Sequence, residues 1–320
     1  MHWKKVGFDM SEQFSHYSVL LQECMEGLAI RADGIYVDGT AGGGGHSYEI
    51  ASRLTEGRLI AIDRDEAAIR AASARLAPFG TRACVVRSNF YDIISVLDEL
   101  GIEQIDGLLL DLGVSSHQFD EAERGFSYRN DAPLDMRMDQ RQTKTAYDVV
   151  NTYSEEALKR ILFEYGEERF APRIAARIVK ERENAPIATT FALSELIKSA
   201  MPAAARDGGH PAKRSFQAIR IEVNGELDVI APTIENAVSR MRKGGRVAII
   251  TFHSLEDRIV KQAFAKLATG CTCPKSLPVC VCNNRPKVRI ITKKPILPGA
   301  GELAENNRSH SAKLRVIEKL

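Results

Sequence analysis

The chain has 320 residues, 44% of them hydrophobic and 27% charged, with a net charge of +2. That length and balance fit one or two ordinary globular domains and exclude a disordered, fibrous or low-complexity protein. The longest apolar runs, Gly107 to Leu112 and Val247 to Phe252, fall far short of the roughly 20 residues that a membrane span needs.

Met1 to Tyr17 carries charged and polar residues where a secretory signal would place an apolar core. A cytoplasmic protein is expected, its six cysteines serving as thiols or metal ligands. Charge is uneven: residues 271–320 hold ten Lys or Arg against three Asp or Glu, or +7, which leaves −5 for the rest. A basic C-terminal face suits a polyanion, or is simply a solvated surface.

Strand-like runs ending in Gly or Asp alternate with helical stretches as far as residue 111, the pattern of a parallel α/β sheet. The predicted strands are Ile35 to Asp38, Arg58 to Asp63, Ala83 to Val86 and Ile105 to Asp111, with helices at Ser47 to Leu54 and Glu66 to Leu76. From Ser116 to Ala212 the signals turn helical, which reads as an all-helical domain inserted into the sheet. Ser154 is the expected cap of one helix, Phe170 to Glu183 forms another, and Thr190 caps Phe191 to Ala200 ahead of a loop at Arg206 to Pro211. Strand character returns at Arg246 to Phe252, and Val288 to Thr292 with Lys313 to Ile317 would close the sheet as an antiparallel pair. The expected division is 1–115 and 213–320 for the sheet domain and 116–212 for the insertion.

The first strand runs into Gly39-Thr40-Ala41-Gly42-Gly43-Gly44-Gly45-His46, and a helix follows. Glycines let the backbone approach a ligand, and the helix N-terminus offers unpaired N–H groups. Asp63 ends the second strand, 18 residues after Gly45, where a carboxylate accepts both hydroxyls of a ribose. Nicotinamide dinucleotides and S-adenosylmethionine (SAM) both present adenosine to such a site, and the antiparallel closing pair tilts the reading toward SAM and methyl transfer. Asp111 ends the fourth strand at the ligand crevice of an open sheet. There it binds a ligand amine, accepts from a target amine, or merely caps the next turn.

Several ordered blocks carry a specific resemblance. Val19-Leu20-Leu21-Gln22-Glu23 after His16, Asp38-Gly39-Thr40 through Ser47, Ala61-Ile62-Asp63-Arg64-Asp65 and Leu110-Asp111-Leu112-Gly113-Val114-Ser115-Ser116 resemble the RsmH (MraW) methyltransferases. Glu123-Arg124-Gly125-Phe126-Ser127, Pro133 to Asp139, Tyr165 to Phe170 and Phe252 to Arg258 agree, so that the resemblance spans residues 14–318. It implies an α/β SAM-dependent methyltransferase (Rossmann-like) sheet interrupted by a helical substrate-binding domain. The implied activity is methylation of the N4 amine of a cytidine in the decoding region of bacterial 16S rRNA, with the small ribosomal subunit as partner. The family's cofactor contacts fall on Gly44, Gly45, His46, Asp63, Phe90, Asp111 and Gln118. From the residues alone, Phe90 is equally a core ring and Gln118 a solvated amide. A homodimer is compatible with the sequence.

Asp111 and His253 are the candidate catalytic residues, since both follow strands at the carboxyl ends; His253 is equally a structural histidine. Arg124, Arg129, Arg137 and Arg141, interleaved with Phe126 and Tyr128, suit phosphates and bases of RNA, or pair with neighbouring carboxylates. Cys271, Cys273, Cys280 and Cys282 form a CxC, six-residue spacer, CxC pattern resembling a small structural zinc loop, with a metal-free thiol loop braced by Pro274 and Pro278 as the alternative. Two other functions remain at this stage: a dinucleotide-dependent oxidoreductase, and a non-catalytic RNA-binding ribosome assembly factor.

Overall fold

The computed structural model describes residues 18–203, 210–274 and 282–320. His16, Cys280 and most of the Arg206 to Pro211 loop lie outside the described residues. Seven strands form one sheet: β1 (Ile35–Asp38), β2 (Arg58–Asp63), β3 (Ala83–Arg87), β4 (Ile105–Asp111), β5 (Met241–Thr251), β6 (Val288–Ile290) and β7 (Lys313–Lys319). Their spatial order is β3-β2-β1-β4-β5-β7-β6. β1 to β5 are parallel, while β7 runs antiparallel to both β5 and β6, so the expected closing pair is present.

Helices cover both faces, which is why β1, β2 and β4 read as nearly continuous apolar runs. On one face Ile93, Val96 and Leu97, Ile230, Ile234 and Val238, and Val260, Phe264 and Leu267 pack on alternate strand residues such as Ile60, Leu108 and Ile249. On the other, Met25, Leu28, Ile50, Ala72 and Leu76 pack on Leu59, Ala61, Leu109 and Ile250. Among the described residues no helix is long and apolar enough to cross a membrane.

The helices between β4 and β5 build a second hydrophobic core of their own. It holds Val149, Leu158, Ile161, Ile174, Ile178, Leu193 and Ile197, all without measurable exposure. Ser154 caps the helix Glu155–Glu164 as expected, its hydroxyl accepting from Ala157 N–H at 3.2 Å. Two expectations need correction. The cap of the helix Thr190–Ala200 is Thr189, whose hydroxyl accepts from Ala192 N–H. Thr190 is buried instead, accepting from Ala132 N–H and donating to Asn130 O, which ties the helix to the loop before it. The boundary at 212 also moves. The helix Lys213–Asn224 places Phe216, Ala218, Ile219 and Val223 in the helical core, because its apolar stripe faces the insertion.

Candidate functional site

The strand order reverses between β1 and β4, so a crevice opens beyond the carboxyl ends of these two neighbours. Asp38, Asp63 and Asp111 are the last residues of β1, β2 and β4, and all three meet at this end of the sheet. The turn after β1 passes between them. Gly39 is required there: a Cβ would sit 2.5 Å from Leu110 Cδ2 and 3.0 Å from Phe90 Cβ. Gly44 has φ +76° and begins the helix Gly45–Ser52 in a left-handed conformation that β-carbons disfavour.

The predicted cofactor residues separate into three groups. Gly44 and Gly45 face protein, the first against Ala72 and Arg75, the second against Ser18 Oγ. Gly43 is the glycine whose Cα faces open space, with no atom within 4 Å of a Cβ placed there. Phe90 packs beside Gly39 at the start of the turn after β3. Gln118 is buried and committed within the protein: Oε1 accepts from Ser115 N–H at 3.0 Å and Nε2 donates to Asp65 Oδ2 at 2.7 Å.

The carboxylates are electrostatically unusual. Burial pushes Asp38 up to about 6, against the hydrogen bonds it accepts from Ser47 Oγ at 2.6 Å and Thr40 N–H at 3.1 Å. Asp63 is likewise pushed up to about 6 by burial, although Gly42 N–H and Asp65 N–H donate to it at 2.8 and 2.9 Å. Asp111 reaches about 6 through burial, partly offset by His46 and reinforced by the charges of Asp38 and Glu256. Its Oδ1 is buried with no hydrogen-bond partner among the described residues.

His46 is 5% exposed and lies between two fixed groups. Its Nε2 is 3.0 Å from Val19 O, and a carbonyl only accepts, so Nε2 carries a proton. Nδ1 then faces Asp111 Oδ2 at 3.8 Å, and the pair attracts only when a proton lies on one of the two. Thr40 Oγ1 accepts from Asp111 N–H at 2.6 Å and locks β1 to β4 at the same place.

His253 follows β5 and caps the helix Ser254–Ala268. Its ring turns back on that helix, with Nδ1 accepting from Glu256 N–H at 3.4 Å and Nε2 3.1 Å from Glu256 Oε1. Glu256 is 1% exposed and is held below the usual range despite burial, by His253 and by the N–H of Phe252 at 2.7 Å. A Cβ at Gly113 would lie 3.9 Å from Glu256 Oε1, so the pair borders the loop that leaves β4.

Three of the four arginines considered for RNA are paired with carboxylates. Arg137 and Arg141 make forked contacts with Asp135 and Asp139. Arg124 is buried and donates to Asp65 Oδ2 at 2.8 Å and to Arg137 O at 2.9 Å. Phe126 lies in the helical core, and Tyr128 stacks on His210 with centroids 4.0 Å apart. The site residues that sequence reasoning missed are Asp38, Asp65, Arg124 as a buried partner, and Glu256. Asp38 carried a readable signal, since it ends a strand before the turn as Asp63 and Asp111 end theirs. Cys271, Cys273 and Cys282 do come together at the end of the helix Ser254–Ala268.

The chain is similar over nearly its whole length to several known proteins. Ribosomal RNA small subunit methyltransferase H 2 of Agathobacter rectalis is 59% identical over 310 residues, 96% of this chain and 99% of that one. Ribosomal RNA small subunit methyltransferase H of Lachnospira eligens is 57% identical over 317 residues, 98% of this chain and all of that one. Among solved structures, an rRNA methylase from Streptococcus thermophilus aligns over 96% of this chain and 99% of its own, with 13% identity and a TM-score of 0.43. The family profile described as the MraW methylase family matches residues 13–320, and the chain belongs to that family.

Proposed function

We propose that this protein transfers a methyl group from SAM to the N4 amine of a cytidine in the decoding region of bacterial 16S rRNA, with the small ribosomal subunit as its substrate in the cytoplasm. The observation that carries the reading is the set of strand-end carboxylates around the glycine turn of the switch point, Asp38 fully buried and Asp63 and Asp111 partly so. SAM fits this donor set. Its sulfonium and ammonium bring positive charge to carboxyls that burial has pushed up to about 6, and ionised carboxylates are what such cations favour. A dinucleotide would bring a negatively charged pyrophosphate to the same crevice. The buried acceptor Asp111 Oδ1 and the open face at Gly43 are the free surfaces such a ligand would meet.

When bound, SAM supplies a methyl group made electrophilic by the sulfonium. The chain supplies the rest. Asp63, at the end of β2, would accept the ribose hydroxyls, and the glycine turn admits the ligand to van der Waals distance of the backbone. Phe90 offers an apolar ring for adenine at the next strand end. Asp111 Oδ1 offers an acceptor to an N–H group, with His46 Nδ1 3.8 Å from the other carboxyl oxygen. Cytosine N4 shares its lone pair with the ring, so alignment matters more than a strong base, and the proton can leave after attack. The base must be splayed out of its stack at a cost of about a few kcal/mol, which contacts with the helical insertion would offset.

The test is labelled methyl transfer from SAM to small subunits lacking the modification, with naked 16S rRNA in parallel and nucleoside mass analysis of the product. N4-methylated cytidine on the subunit is the expected result. A protein that binds SAM yet labels neither substrate would refute the assignment.

A further inference from the structure

At the far end of the helix Ser254–Ala268, the chain turns back toward β6 through a cysteine-bearing loop that the methyl-transfer site does not use. The Sγ atoms of Cys271, Cys273 and Cys282 all lie within 4.8 Å of one another, and those of Cys271 and Cys282 are 3.7 Å apart. That separation is far from a disulfide, at about 2.05 Å. It matches a metal site: a tetrahedron with zinc–sulfur bonds of about 2.3 Å has sulfur–sulfur edges of about 3.8 Å.

The surroundings hold this geometry independently of the thiols. Asn284 Nδ2 donates to Thr269 O at 3.2 Å and Gly270 O at 2.8 Å, and Lys287 N–H donates to Leu267 O at 2.8 Å, so the two arms of the loop are clamped together. Backbone N–H groups of Thr272 and Cys282 point at Cys282 Sγ and Cys273 Sγ, at 3.4 and 3.3 Å. An all-sulfur donor set selects zinc over magnesium or calcium.

We propose that Cys271, Cys273 and Cys282 bind a structural Zn²⁺ that pins the basic segment Arg285 to Arg289 to the end of this helix. The ion closes the loop and takes no part in methyl transfer, because the cluster stands at the opposite end of the helix from the crevice.

The test uses the full chain, free of any tag, expressed with added zinc and dialysed before elemental analysis. About one zinc per chain is expected, and Co²⁺ exchanged for it should give thiolate-to-cobalt charge transfer with the intense visible bands of tetrahedral cobalt. Cys271→Ser and Cys282→Ser should lose the metal, whereas Cys24→Ser and Cys84→Ser should keep it. Should a loop variant fold poorly, the wild-type chain is probed by limited proteolysis before and after zinc is extracted with a thiol-reactive mercurial. New cleavage confined to residues 270–287 supports the pin. A wild-type chain without bound metal, metal retained by the combined Cys271→Ser, Cys282→Ser variant, or proteolysis unchanged by extraction would each overturn it.

Discussion

Replacing Asp38 by Asn tests whether the switch-point carboxylates are as strained as their burial implies. Asp38 is 1% exposed and pushed from 3.8 to about 6, and each pKa unit is worth 1.36 kcal/mol, so ionisation at neutral pH opposes folding by about 3 kcal/mol. Between pH 3.8 and 6 the folded protein keeps a proton that the unfolded chain has lost. Stability from this group therefore rises as pH falls through 6 and is fully lost above it. Going from pH 7.5 to 5.0 realises about 1 kcal/mol of it. Asn keeps the shape, its oxygen accepting from Thr40 N–H and its amide donating to Ser47 Oγ, whose hydroxyl is free to rotate. The variant should lack the pH-linked gain. Asp63 is present in both proteins and cancels in the comparison. The loss of the Asp38 charge, one of the causes raising Asp111, adds to the difference in the same direction. Urea unfolding followed by circular dichroism at both pH values measures it. Parallel pH profiles for the two proteins would refute the reasoning.

Asp63→Asn should weaken SAM binding by about 1.5–3 kcal/mol, the worth of a charged hydrogen bond, or between about tenfold and about 150-fold in Kd by calorimetry. SAM affinity of the wild-type protein should fall as pH drops below about 6, where Asp63 and Asp111 gain protons, and Asp111→Asn should flatten that profile; an unchanged slope in the variant would exclude Asp111. The same variant divides its roles, since an effect on Kd alone marks a cofactor contact and an effect on kcat alone marks a contact with the target amine. Arg124→Met should cost about 3–5 kcal/mol in urea unfolding, because it strips the charge partner from a carboxylate that is 3% exposed; a loss under about 1 kcal/mol would show that Gln118 suffices.

The strands and the site turn were legible for one physical reason. In a parallel sheet covered on both faces, strands read as unbroken apolar runs, and the crevice lies where they end in Asp or Gly. β1, β2 and β4 start and stop where the sequence placed them. β5 begins earlier than expected, at Met241, because Arg242 to Gly245 are polar or glycine yet still join the sheet next to β4 through a register shift. Side-chain destinations were harder to read. Arg124 and Gln118 look like solvated polar residues in sequence, and only tertiary packing brings both onto Asp65, 59 and 53 residues away. Hydrophobic periodicity marks the helix Lys213–Asn224 without saying which core its stripe will enter.

Those long-range contacts converge on one turn, Asp63-Arg64-Asp65. Asp63 faces the crevice and accepts from Asp65 N–H. Arg64 donates to Asn224 O at 3.0 Å, where the insertion ends, and Asn224 in turn bonds Met138 N–H and Met136 O. Asp65 caps the helix Glu66–Leu76 with one oxygen and takes Gln118 and Arg124, where the insertion begins, with the other. Both ends of the helical segment are thus fastened to the turn that carries the carboxylate expected to hold the ribose. A base held by the insertion and a methyl donor held by the sheet would share this single reference point, and methyl transfer demands such placement because an error of about 1 Å can cost about a hundredfold in rate. The buried Arg124–Asp65 pair would act through position, by holding the start of the insertion on this turn.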